Sequence, residues 1–181
     1  MKIILASKSP RRKELLSQII DDFEIDVSNS DEKYPKRLSK KKIPLYLAKQ
    51  KALEVYNRHQ DCLVIGSDTV VIVKNQVLGK PKDKEDAIKM ISLLQGKTHL
   101  VVTGVYLKSK NFTKKIRSIS KVTFKKMTPE EIDRYCELDT IYDKAGAYAI
   151  QGEAKDLITK TKGSYYGIVG LPIELISKYL K

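Results

Sequence analysis

Residues 2–12, Lys-Ile-Ile-Leu-Ala-Ser-Lys-Ser-Pro-Arg-Arg, constrain the fold more than any other stretch, because they commit the chain to a buried strand that passes at once into a helix. Lys2 to Ala6 is a short apolar run closed by a Ser/Pro cluster, the pattern of a buried strand. Ser9 fits a helix N-cap and Pro10 the first helical position, where a missing N–H costs nothing and φ is already set. A helix is expected from Pro10, with Leu15, Leu16 and Ile19 on one face. Arg11 and Arg12 fall in its first turn, where the helix dipole disfavours a cation by about 0.3–1 kcal/mol. Two guanidinium forks, the Ser7 and Ser9 hydroxyls and the N–H groups of a helix start together suit an anion such as phosphate. The competing reading is a surface helix with arginines in water; the position at the mouth of a β-α turn shifts the balance toward a site.

Farther on, Phe23 to Ser28 alternates as a half-buried strand does, and 29–42 reads as a polar surface loop. A helix from about Pro44 to Arg58 repeats Leu45, Ala48, Ala52 and Val55 on one face, with Lys51 beside it. Cys62–Ile65 and Val70–Val73 read as two buried strand segments separated by Gly66-Ser67-Asp68-Thr69. Lys74-Asn75 reads as a turn leading to Gln76–Leu78, and Asp83 as the cap of a helix that buries Ala87, Met90, Ile91 and Leu94. His99–Leu107 and Ile116–Lys125 read as strands of a hairpin, and Thr128-Pro129-Glu130-Glu131 as a capping box opening a helix to about Glu137. Five of the nine glycines crowd Tyr142–Gly170, and Pro172 opens a last helix with Ile173, Ile176 and Leu180. Helices alternating with strands at the start and a hairpin in the middle argue for an α/β fold with a mixed, partly antiparallel sheet.

A chain of 181 residues, 41% apolar and 31% charged, can bury a full core and has the composition of a soluble globular protein, in one domain or two small lobes. No run approaches the length of a membrane span, and no signal peptide is expected from the amino terminus. Cys62 and Cys136 are far apart and read as small buried thiols of a reducing compartment, while His59 and His99 lack partners at metal-ligand spacing, which argues against zinc. The net charge of +13 invites a nucleic-acid reading, but the lysines are scattered and lack interleaved aromatics. A nucleotide substrate satisfies the same charge.

Asp68 stands out as a carboxylate between two apolar runs, where burial is costly unless a cation, a metal or donors meet it. An Asx-turn bonded to local N–H groups explains the same pattern equally well. Lys80, in Gly79-Lys80-Pro81, is a cation in a restricted turn or an ordinary exposed lysine. Glu32 reads as a second metal-binding or water-activating carboxylate, or as an exposed loop acid. Gln151 follows the apolar, strand-like run Ala147–Ile150, where its amide could read a base edge or simply face water. Neither a GxxxxGK[ST] loop, a GxGxxG, a GxSxG elbow nor a CxxC pair occurs. The remaining inventory suits metal-assisted hydrolysis of a phosphoanhydride.

The run Ser7-Lys8-Ser9-Pro10-Arg11-Arg12-Lys13-Glu14-Leu15-Leu16 resembles the opening signature of the Maf family of nucleoside triphosphate pyrophosphatases. Asp31-Glu32, Ala48 to Ala52, Gly66-Ser67-Asp68-Thr69-Val70-Val71, Leu78-Gly79-Lys80-Pro81, Thr103-Gly104-Val105, Asp143 to Tyr148 and Gly170-Leu171-Pro172 follow in the family's order along nearly the whole chain. The resemblance implies one domain over 1–181, an elongated mixed α/β sheet with flanking helices and two lobes around a cleft, similar to the inosine triphosphate pyrophosphatases. It implies cleavage of a nucleoside triphosphate between its α and β phosphates with a divalent cation, Mg²⁺ or alternatively Mn²⁺ or Co²⁺. The family's catalytic acid falls on Asp68, its phosphate-binding positions on Ser7, Arg11, Arg12, Lys51 and Lys80, and its metal-associated carboxylate on Glu32. Arg12, Thr69 and Gln151 are shared with members that prefer dTTP and UTP.

The expectation is therefore a cytoplasmic dTTP/UTP pyrophosphatase that also removes modified pyrimidine nucleotides, binding no membrane and no nucleic acid, with a homodimer in view. Two alternatives stand beside it. One is a pyrophosphatase of 7-methyl-GTP, and the other a non-enzymatic basic protein bound to nucleic acid or to the division machinery.

Overall fold

The computed structural model describes residues 1–180. Its strands are β1 (Ile3–Leu5), β2 (Glu24–Ile25), β3 (Leu63–Val73), β4 (Gln76–Leu78), β5 (Thr98–Lys108), β6 (Thr113–Phe124) and β7 (Ile158–Lys162). Its helices are α1 (Pro10–Ser17), α2 (Ile43–Arg58), α3 (Lys84–Leu94), α4 (Pro129–Cys136), α5 (Tyr165–Val169) and α6 (Ile173–Ile176). The strands form one mixed sheet in the order β2-β1-β3-β5-β6-β7, with β4 added to β3. Pairing is parallel where β1 meets β2 and β3, and antiparallel where β3 meets β4 and β6 meets β7. Among the described residues no helix is long and apolar enough to cross a membrane.

The chain divides into two compact units. The first comprises Met1–Thr69, Val102–Ser118 and the residues from Ser164 onward; the second comprises Val70–Val101 and Ile119–Gly163. In the first, Ile4, Ala6, Val64 and Tyr106 of the sheet pack with Ala48, Ala52 and Val55 of α2. All three positions on α2 share one face, the spacing that the apolar pattern required. In the second, Lys74 and Asn75 take φ of 45° and 60°, the left-handed pair that a two-residue hairpin needs between Val73 and Gln76. The Asp83 carboxylate caps α3 by accepting the Asp86 N–H at 2.8 Å, and Thr128 and Glu131 complete the capping box of α4. Cys62 and Cys136 are buried free thiols, and burial pushes Cys136 up to about 11, so it is an inert packing residue.

Four local expectations change. Gly66–Thr69 does not interrupt two strands but lies inside the eleven-residue β3. Turn-forming residues are held extended there because β3 is an interior strand, and pairing plus packing override propensity. The half-buried strand at Phe23–Ser28 shrinks to Glu24–Ile25, both exposed at the sheet edge, because Asp26 turns away to Arg58 and His59. Ala147–Ile150 is not a strand: Gly146 and Ala147 adopt φ of 72° and 61°, which breaks any extended run. The last helix is a single turn, Ile173–Ile176, continued by a 3₁₀ turn at Ser177–Tyr179.

Candidate active site

Two glycines decide where α2 lies. A Cβ on Gly66 would stand 2.2 Å from the Ala48 carbonyl oxygen, and one on Gly104 would stand 2.3 Å from the Leu45 nitrogen. Neither position has a positive φ, so both are glycine for close backbone approach rather than for conformational freedom. The helix axis therefore sits hard against β3 and β5. Because side chains alternate along a strand, Gly66 and Asp68 share the face turned to α2. Lys51, next to Ala52 on that helix, is then carried directly onto the Asp68 carboxylate.

Lys51 Nζ lies 2.7 Å from Asp68 Oδ1 and 2.8 Å from Glu32 Oε1. The ammonium is therefore clasped between two carboxylates. Asp68 is 7% exposed, whereas the Glu32 side chain is 59% exposed, so one partner is buried and the other faces water. Burial pushes the Asp68 carboxyl above its ordinary range, while Lys51 and then Arg12 pull it back. The result is a carboxylate of raised basicity still supplied with cations, a description that suits a general base.

The opposite face of β3 carries Ser67 and Thr69, and here Arg12 does the joining. Its Nε donates to the Gly170 carbonyl at 3.0 Å, its Nη1 to Ser7 Oγ at 3.2 Å and its Nη2 to Thr69 Oγ1 at 3.2 Å. Burial lowers the Arg12 pKa and the nearby Asp68 opposes that shift; a guanidinium remains charged through both. The expected cap is absent, since the Ser9 side chain makes no capping bond, and the Ser9 N–H donates to Ser7 Oγ at 3.3 Å instead. Ser7 Oγ thus accepts from Ser9 and Arg12, and its own O–H remains to donate. Arg12 turns inward rather than over the helix start, while Arg11 is half-buried in the first turn.

Glu32 is brought to Lys51 by a braced loop that no local sequence pattern announces. Arg58 grips Asp26 with two bonds of 3.1 and 3.0 Å and donates to the Val27 carbonyl at 3.1 Å. Glu54 accepts from the Asn29 N–H at 3.1 Å and from the Ser28 hydroxyl. Ser28 holds Glu54 below the ordinary carboxylate range, with Asn29 and Arg58 assisting. Glu54 stands one turn beyond Lys51 on α2, so the same helix holds both the loop and the lysine. The available signal was charge at i,i+4 in Glu54 and Arg58, which reads only as a surface pair until Asp26 is seen.

Of the residues singled out in the sequence, six fall into two hydrogen-bonded groups in the first unit, Lys51 with Asp68 and Glu32 and Arg12 with Ser7 and Thr69, and the groups meet through electrostatic attraction, chiefly that of Arg12 and Asp68. Lys80 and Gln151 belong to the second unit, where both are exposed, Lys80 after β4 and Gln151 in a turn. The backbone beside Lys80 is held by a bond of 2.9 Å from the Gly146 N–H to the Gly79 carbonyl. Among the described residues no group of three His, Cys, Asp or Glu side chains is assembled for a metal.

The family model described as "Maf-like protein" matches residues 2–181. A Bacillus cytotoxicus protein named dTTP/UTP pyrophosphatase is 45% identical, over 99% of this chain and 94% of its own length. Proteins of the same name from Bacillus pumilus and Thermoanaerobacter sp. are each 44% identical, covering 95% and 100% of this chain and 91% and 96% of their own lengths.

Proposed function

This chain belongs to the Maf family, and from that premise we propose that it is a dTTP/UTP pyrophosphatase, which cleaves the α–β phosphoanhydride to a nucleoside monophosphate and pyrophosphate. The observation that carries the reading is Asp68, a buried carboxylate of raised basicity paired with Lys51 at 2.7 Å and drawn on electrostatically by Arg12. Asp68 takes the proton of the water whose oxygen is added across the anhydride. Lys51, Arg11 and the Ser7 O–H bind and orient phosphate oxygens, assisted by the α1 N–H groups that no side chain caps. Thr69 and Arg12 contact the substrate, Lys80 neutralises phosphate charge, and Gln151 reads the uracil or thymine edge; the last two roles rest on the resemblance. Modified pyrimidine nucleotides fall within the same substrate class.

The donor set fits a hard divalent cation. Glu32 and Asp68 already converge on one positive centre, the Lys51 ammonium, and Mg²⁺ characteristically takes one or two carboxylates with substrate phosphates filling the remainder. Bound there, the ion would neutralise phosphate charge and favour departure of pyrophosphate. We assign the protein to the cytoplasm as a single domain over 1–181 and as a homodimer. The test is pyrophosphate release from a panel of UTP, dTTP, CTP and 7-methyl-GTP with Mg²⁺, Mn²⁺ or Co²⁺, with Asp68→Asn alongside. Turnover of UTP and dTTP that is lost in the variant is expected; undiminished turnover removes Asp68 from its role, and a preference for 7-methyl-GTP replaces the substrate assignment.

A further inference from the structure

We propose that Thr103 is a positioning residue for substrate selection, because it ends a one-way chain of hydrogen bonds that leaves the Thr69 hydroxyl able only to accept. The inference rests on the reading that Thr69 meets the substrate. Arg12 Nη2 lies 3.2 Å from Thr69 Oγ1, Thr69 Oγ1 lies 2.8 Å from Thr103 Oγ1, and Thr103 Oγ1 lies 2.7 Å from the Gly167 carbonyl oxygen.

Chemistry fixes both ends of this chain. A guanidinium has donors only and a peptide carbonyl has lone pairs only. Two oxygens 2.7 Å apart need a proton between them, so Thr103 gives its single proton to Gly167. Thr103 then has only lone pairs to turn toward Thr69, and the proton between the two hydroxyls belongs to Thr69. With that proton committed, Thr69 keeps two lone pairs, one of them facing Arg12. The other remains for a ligand.

The arrangement is well supported. Thr103 is fully buried on β5, whereas Thr69 is partly open. Gly167 lies in α5, a helix so short that its carbonyls depend on partners outside it. A Cβ on Gly167 would meet Ser118 Oγ at 2.3 Å, so the bare backbone there permits the approach that brings the carbonyl to Thr103. Replacing Thr103 by an apolar residue of equal size would free the Thr69 proton to rotate.

An acceptor-only hydroxyl is complementary to the N3–H of uracil or thymine and opposed to the bare N3 lone pair of cytosine. Thr103 is thus expected to act on the choice between these bases without touching either. The experiment measures kcat and KM for UTP, dTTP and CTP in the wild type, Thr103→Val, Thr103→Ser and Thr103→Cys, with thermal melts of each.

In Thr103→Val the ratio of kcat/KM for UTP over CTP should fall about tenfold, as expected when a buried polar pairing is broken. The change should sit in KM, with kcat on UTP retained within about threefold. Thr103→Ser, which keeps the hydroxyl, should restore the ratio. If Thr103→Val does not fold, Thr103→Cys carries the test, since a thiol is a weak donor of similar size. Its ratio should fall as well.

An unchanged ratio in whichever of these two variants folds, or a failure of serine to restore it, overturns the role of Thr103 while leaving the substrate reading intact. A wild type that does not prefer UTP to CTP overturns both.

Discussion

Asp68 and His99 are both buried titratable groups on sheet strands, one in each unit, and the protein treats them in opposite ways. Asp68 is given Lys51 and Arg12, so burial raises its pKa without depriving it of cations. His99 is packed edge-on against Phe124 and Tyr148, with ring centroids 5.2 and 5.4 Å away. Its Nε2 meets the Tyr148 hydroxyl at 2.6 Å, and among the described residues its Nδ1 has no hydrogen-bond partner. Burial alone pushes the His99 pKa down to about 4, so the ring is neutral and structural. The contrast teaches where charge is retained: beside the proposed phosphate receptor a costly buried ion is supported, while in the aromatic cluster the charge is excluded.

The largest expected effect comes from removing the supported charge. Asp68→Asn should lower kcat for UTP by about 10²–10⁴, the usual contribution of a general base. Its melting temperature should hold or rise, because an acid whose folded pKa is raised destabilises the fold above that pKa. A variant that loses activity only by unfolding would show instead that Asp68 is a structural residue like His99.

The next effect concerns the excluded charge. The unfolded chain binds a proton at His99 near 6.5 and the folded chain only near 4, so stability is present above 6.5 and is lost as pH falls through that window. The contribution is at most about 3 kcal/mol. Urea melts between pH 7 and 4 should show the slope, and His99→Gln, which keeps a partner for Tyr148, should flatten it. A slope that survives in the variant would assign acid lability to another group.

Gly66→Ala sharpens the comparison by loosening the support of Asp68. The added Cβ meets backbone at 2.2 Å, so α2 must shift, at a cost of about 1–3 kcal/mol and with loss of activity as Lys51 moves. Gly79→Ala, where nothing lies within 4 Å, should change stability by less than about 0.5 kcal/mol. Thermal melts and UTP turnover check both. Among the residues around the candidate site the smallest effect is expected for Glu54→Gln, which slackens the loop carrying Glu32: below about 1 kcal/mol of stability, but a higher Mg²⁺ concentration for half-maximal activity. An unchanged Mg²⁺ requirement would mean that Glu32 finds its place without Glu54.

Much of the candidate site is legible in local chemistry. Ser7, Arg11 and Arg12 stood out because a cation in the first turn of a helix asks for an anion, and Asp68 because a carboxylate between apolar runs asks for a partner. The bracing of Asp26 by Arg58 and the hydroxyl chain through Thr103 could not be anticipated so. Each joins segments tens of residues apart through groups that are unremarkable individually, Asp26 and Arg58 being 32 positions apart in the chain and Thr103 and Gly167 being 64. Gly66 is obscure for a related reason, since a glycine among Ser, Asp and Thr has the local appearance of a break between strands, and only the helix against it shows why a side chain is forbidden.

By itself the amino-acid order determined most of the elements, the caps of α3 and α4 and the kinds of charge available, because helix and strand periods, proline and capping side chains act within a few residues. Tertiary structure decided which of those charges meet, that Arg12 faces inward, and in which direction the Thr69 proton points. Such outcomes depend on distances between remote segments, and those are set only when α2 closes against the bare backbone of β3 and β5.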